Sequence, residues 1–205
     1  MRPWLLLRHH GIAFEEIRVP LFSDGYQQIL AGYSPSLRVP VLLDADLTVW
    51  DSLAICEYVS ERYLQGKGYP VDMLERARCR SYCNEMHSGF TSIRSQLPMN
   101  CRARRRLQLS AEAQAEVVRV EQIWSELREA HANEGAFLFG RFSIADCMYA
   151  PMVMRFHTYQ ITLSAPAKAY MDSLIAHPAV QLWLAAARIE TEVLPAYELG
   201  EQISL

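Results

Sequence analysis

Two pairs of neighbouring residues in the first quarter of the chain have types suited to gripping a small polar molecule. The first is Val39-Pro40. A proline opening a strand removes one ladder donor and can take the cis form. A cis turn there leaves the N–H and C=O of Val39 unpaired by the sheet, and an extended peptide can pair with both as a short added strand. The second is Asp51-Ser52, where a strand ends and a helix begins. Helix N-termini carry unpaired N–H groups and partial positive charge, so they hold carboxylates. The Ser52 hydroxyl can donate to a ligand carboxylate, and Asp51 can accept from a ligand ammonium. Together these two suit an α-amino-acid end. Each pair also has an ordinary use, as a strand-opening proline and as an N-cap.

The elements that must position these residues change every few positions up to residue 64. Trp4 to His10 reads as a helix stopped by Gly11. Phe14 to Val19 reads as a strand, and Ser23 to Gly32 as a short helix at most. Val39 to Leu43 and Leu47 to Trp50 are β-rich, with Asp44-Ala45-Asp46 as a tight hairpin between them. Asp51-Ser52 then opens a helix through Leu53, Ile55, Cys56, Val59 and Tyr63. Gly66 to Pro70 has linker composition, which divides the chain into residues 1–65 and 72–205.

Everything beyond the linker reads helical. Met86, Phe90, Ile93 and Leu97 form one stripe on a first long helix that Pro98 ends. Arg102, Arg104, Arg105 and Arg106 follow in a loop, and Ser110 caps the next helix, whose stripe runs from Ala113 to Leu127 through Trp124. Ser143 and Asp146 spell a capping box at the head of a helix apolar on nearly every side, which marks it as the buried centre of a bundle. Pro151 is expected to kink that helix. Two shorter helices split at His177-Pro178, and Trp124 and Trp183 read as core.

Composition excludes some functions. The chain has 205 residues, 51% hydrophobic and 21% charged, with formal net charge −3. That is a globular composition, and its near-neutral charge argues against a protein built to grip nucleic acid or an acidic membrane. No apolar run approaches the roughly 20 residues of a membrane helix, and the N-terminal apolar stretch is too short for a signal peptide, so the expected location is the cytoplasm. The five cysteines form no Cys-x-x-Cys pair, and they read as free thiols with no metal site.

The run Ser34 to Leu42, the hairpin, and Trp50 to Val59 closely resemble the glutathione transferase family, and the linker, the helical remainder and the Ser143–Asp146 box extend the resemblance over nearly the whole chain. The resemblance implies an α/β plus all-α chain: a thioredoxin-like N-terminal domain followed by a helical-bundle C-terminal domain. It implies glutathione as co-substrate, with Val39 pairing with its cysteinyl part, Asp51 and Ser52 holding its γ-glutamyl end, and Arg38 facing its glycine carboxylate or a neighbour. It also implies a small electrophile as second substrate, against Met86, Phe90 and Arg94, and a homodimer. His87 beside Met86 is a tempting acid or base, although a lone helical histidine is more often merely hydrogen-bonded or exposed. Leu37 stands where many members have glycine.

One departure matters. In the family a first strand and a loop bearing the Ser, Tyr or Cys that touches the glutathione sulfur precede the first helix. Here Met1-Arg2-Pro3-Trp4 reads as the first helix itself, so no residue can be assigned the catalytic position. A hydroxyl donor to sulfur stabilises the thiolate nucleophile, and a chain without it should bind glutathione but activate it poorly. The frame begins upstream, the chain is shortened, or another strand, such as one from a second copy, fills the slot. Two functions follow: a glutathione-dependent enzyme of detoxification type, or a binding protein that keeps the fold without catalysis. No feature of the sequence favours a chloride-channel-like or stress-response relative.

Overall fold

The computed structural model describes residues 1–203. The N-terminal part runs α1 (Arg2–His9), α2 (Tyr26–Ala31), β1 (Leu42–Asp44), β2 (Leu47–Val49) and α3 (Ser52–Leu64). The helical part holds α4 (Met73–Ser88), α5 (Thr91–Gln96), α6 (Ala111–Ala130), α7 (Ile144–Thr158), α8 (Ala165–Ala176) and α9 (Pro178–Ile189). A two-residue strand β3 (Arg105–Arg106) pairs antiparallel with β4 (Glu201–Gln202).

Local chemistry explains the element ends. Helix α1 stops where Gly11 takes φ +64° and Ile12 N–H returns to the Leu7 carbonyl at 3.0 Å. β1 and β2 pair in the register Leu42↔Val49 and Asp44↔Leu47, leaving the tight turn expected around Ala45. Asp51, Asp72 and Ser110 cap α3, α4 and α6 through their side chains. The capping box at α7 is present: Ser143 N–H donates to Asp146 Oδ2 at 2.8 Å, and Leu138 N–H reaches Oδ1 at 3.1 Å. Helix α7 continues through Pro151, and nearly all its residues are buried.

Several expectations need correction. Phe14 to Val19 is no strand, because no backbone group from Ala13 to Val19 finds a backbone partner among the described residues. Side chains hold the run instead: Trp4 Nε1–H donates to Glu16 at 2.8 Å, and Arg18 bridges Glu190 and Glu192 at 2.8 and 2.7 Å. The stripe from Met86 to Leu97 does not lie on one helix. The chain breaks at Gly89, where a Cβ would meet the Glu85 carbonyl at 2.7 Å, and at Phe90, whose φ is +58°. The arginine run, expected as a loop, ends in the two-residue strand β3 and is tied to the C-terminal segment. Arg102 donates to the carbonyls of Glu190 and Glu192, and Arg105 donates to those of Glu198 and Gly200 and pairs with the Glu198 carboxylate. These arginines fasten the C-terminal segment. Trp183 is half-buried and packs edge-on against Trp4 at 5.3 Å, outside the core.

The core is continuous across the linker, joining Leu5, Ile55 and Val59 to Met86, Trp124, Met148 and Leu174. The linker itself is docked. Gly68 N–H donates to Ser60 Oγ at 3.0 Å, and its carbonyl accepts from Ile144 N–H at 2.8 Å. Among the described residues no helix is long and apolar enough to cross a membrane.

Candidate functional site

Val39 and Pro40 lie just ahead of β1. The bond between them is cis, and the backbone N–H and C=O of Val39 have no partner among the described residues. Val39 is half-exposed and lines a cavity of about 580 Å³. That cavity is lined by residues 12–17 and 39–44, together with Leu7, Ile55, Val59, Trp4 and Trp183. Asp51 and Ser52 are outside its lining. The Arg38 side chain is exposed, while its backbone N–H and C=O both bond the Ser34 hydroxyl, at 3.1 and 2.8 Å. Leu37 takes φ +54°, a conformation that glycine adopts without strain.

At the head of α3 the two polar residues do different work. Asp51 Oδ1 accepts from the Leu53 and Ala54 amides at 2.9 and 3.3 Å, which leaves Oδ2 for charge pairing. His87 Nε2, at the end of α4, lies 2.6 Å from Oδ2. A ligand ammonium would share that oxygen with His87. Ser52 is buried, and its Oγ accepts from Arg2 Nη1 at 3.3 Å. Arg2 is anchored by Nε–H donating to the Met148 carbonyl at 3.1 Å. Burial, then repulsion from Arg94, holds the Arg2 guanidinium below its usual range. The corner is thus a helix N-terminus with one carboxylate and a guanidinium behind the serine, a field that favours a carboxylate ligand.

The residues expected on the second-substrate side separate. Met86 and Phe90 are 1% and 6% exposed and belong to the main core, so they present almost no surface to a ligand. Arg94 is exposed and donates through Nη1 to the His87 carbonyl at 3.1 Å. Burial pushes Cys56 up to about 12 and raises Cys101 and Cys147 above the ordinary thiol value, which disfavours the thiolate at these three. Among the described residues no group of three or more His, Cys, Asp or Glu side chains is placed to hold a metal. Sequence spacing pointed to Asp51 and Ser52 but not to Arg2, whose contact with Ser52 spans fifty positions and leaves no local signal.

A hairpin and helix with a polar corner, docked on an all-helical bundle, defines a thioredoxin-like domain followed by a helical C-terminal domain. The chain belongs to the glutathione transferase family: residues 1–62 match "Glutathione S-transferase, N-terminal domain" and residues 109–186 match its C-terminal domain. It is similar to a glutathione transferase homolog from Burkholderia GL BGR1 solved with bound glutathione, with TM-score 0.66 and 25% identity over 91% of this chain and 90% of that one. A theta class enzyme from Xanthomonas axonopodis pv. citri, also with glutathione bound, shares the fold at TM-score 0.66 and 22% identity, covering 88% of this chain and 89% of that one. Among curated proteins, the "Stringent starvation protein A homolog" of Haemophilus ducreyi is 23% identical over 83% of this chain and 77% of its own length. A relative named for starvation therefore stands beside transferases, although no sequence feature had favoured one.

Proposed function

We propose that the chain binds glutathione at Arg38, Val39, Asp51 and Ser52 and presents its sulfur to a small electrophile. The observation that carries this reading is the pairing of a free Val39 backbone with a capped, carboxylate-bearing helix start. Val39 takes the cysteinyl part as a short added strand. The α3 N-terminus, Ser52 and Arg2 take the γ-glutamyl carboxylate, while Asp51 Oδ2 takes its ammonium. Arg38 is free to meet the glycine carboxylate. Arg94 is the member of the second-substrate side best placed to reach a ligand. The neighbours solved with glutathione bound support the ligand.

Glutathione-dependent consumption of 1-chloro-2,4-dinitrobenzene tests the enzyme reading. Turnover above the uncatalysed rate is expected of a transferase. Binding without turnover is the outcome expected of a protein that keeps the fold without catalysis. A specific observation favours that second reading: the relatives similar along most of the chain include proteins named for starvation. The family reading also carries a cytoplasmic homodimer, in which the N-terminal domain of one subunit meets the C-terminal domain of the other. Size-exclusion chromatography with light scattering checks that assembly.

A further inference from the structure

His87 lies in the last turn of α4 and makes contacts with α1, α3 and α5. Its neighbour Met86 is 1% exposed and anchors that turn in the core. Beyond it the helix ends at Gly89, and α5 brings Arg94 back so that Nη1 donates to the His87 carbonyl at 3.1 Å. The ring is fixed on both sides as well. Nδ1 lies 3.4 Å from Arg2 Nη1 of α1, and Nε2 lies 2.6 Å from Oδ2 of Asp51, the residue that caps α3. A guanidinium has donors and no acceptor. Nδ1 therefore accepts from Arg2, which leaves the ring proton on Nε2, where it donates to Asp51.

That donation completes the hold on Asp51. Its Oδ1 accepts from the Leu53 and Ala54 amides at 2.9 and 3.3 Å. A carboxylate held at one oxygen turns easily about its last torsion, and His87 on Oδ2 fixes the other end. A carboxylate oxygen can accept more than one hydrogen bond, so Oδ2 keeps a lone pair for a ligand. With these bonds in place the Asp51 side chain is still 44% exposed, so an ammonium can reach it.

We propose that His87 is a positioning residue: it aims Asp51 Oδ2 at the α-ammonium of the γ-glutamyl end and makes the corner selective for a peptide whose amino end is free. This rests on the glutathione reading given above. His87 acts through Asp51 and needs no contact of its own with the peptide.

Calorimetric titration tests this by comparing glutathione with glutaryl-cysteinyl-glycine, which lacks only the amino group. The unaltered chain is expected to bind glutathione about tenfold more tightly, the scale of one hydrogen bond to a charged group. His87→Asn, whose amide reaches only the Nδ1 position, should lose most of that preference while its affinity for the glutaryl peptide stays the same. His87→Gln, whose amide N–H reaches the Nε2 position, should restore the preference. If His87 served the fold alone, His87→Asn would weaken both peptides alike and keep their ratio, and that result overturns the proposal. Tighter binding of glutathione by His87→Asn also overturns it, since His87 would then compete with the ammonium for Oδ2. Equal affinity of the unaltered chain for the two peptides overturns it while leaving glutathione bound. Binding of neither peptide sinks the glutathione reading and this inference with it.

Discussion

At Leu37 the backbone takes a left-handed conformation that costs an L-residue about 1–2 kcal/mol, and the side chain, half-exposed, recovers little by burial. Leu37→Gly should therefore raise stability, by about 0.5–1 kcal/mol after the added freedom of the unfolded chain is subtracted. Urea denaturation measures this, and a loss of stability would show that the Leu37 side chain does more than its exposure indicates. The same scale shows what single residues disclose in the sequence. Asp51 and Ser52 stand out because N-caps are chosen by local chemistry. Arg2 does not, and neither does the pairing of His87 with Asp51, because both depend on chain segments that meet only on folding.

At the scale of elements, α7 depends on its box. Asp146 is fully buried and accepts from the Ser143 amide and hydroxyl and from the Leu138 amide. Removing it orphans buried donors at both the helix start and the preceding loop. Asp146→Ala is expected to cost about 3 kcal/mol or more, read as a fall in the thermal or urea midpoint. A loss under 1 kcal/mol would contradict the assigned role. The Ser143-x-x-Asp146 pattern was legible because a capping box is written in four residues. The break at Gly89-Phe90 was not, because hydrophobic spacing reports which face is buried and carries no information on backbone continuity. All four residues of that stripe are buried as the spacing predicts, but Met86 lies on α4, Ile93 on α5, and Phe90 and Leu97 at the two ends of α5. Residues 14–19 failed for a related reason: apolar residues set among charged ones are compatible with an extended backbone, but a strand also needs a partner.

For the molecule as a whole, a histidine pair joins the N-terminal and helical parts. His177 Nδ1 accepts from the Ala179 amide at 3.2 Å, so neutral His177 carries its proton on Nε2 and donates to His9 Nδ1 at 2.9 Å. Both rings stack on Phe142. Burial lowers both, His9 to about 4, with His10 and His177 adding repulsion to His9. A histidine held below its unfolded value stabilises the fold above about pH 6.5, and that contribution is lost as pH falls toward about 4. Asp146, raised to about 6 by burial, works in the opposite direction: its contribution is present at low pH and lost as pH rises through about 6. The urea midpoint should fall between pH 7 and pH 5, and His177→Asn, which keeps an acceptor for Ala179, should flatten that slope. An unchanged slope would remove the pair from the pH dependence. The bulk of this architecture was readable in advance, since the two-part order and most helix ends are written locally. The docked linker and the arginine-fastened C-terminal segment were not, because both arise from contacts between distant positions.

The central claim is that the corner at Val39 and Asp51-Ser52 binds glutathione. The most direct measurement is calorimetric titration of glutathione into the chain and into Asp51→Asn, which retains an N-cap side chain but removes the carboxylate charge. The account predicts saturable one-site binding to the unaltered chain, at least tenfold weaker in the variant. At 100 times the dissociation constant, glutathione should also stabilise the unaltered chain by about 2.7 kcal/mol. No binding to the unaltered chain, or equal binding to both, would contradict it.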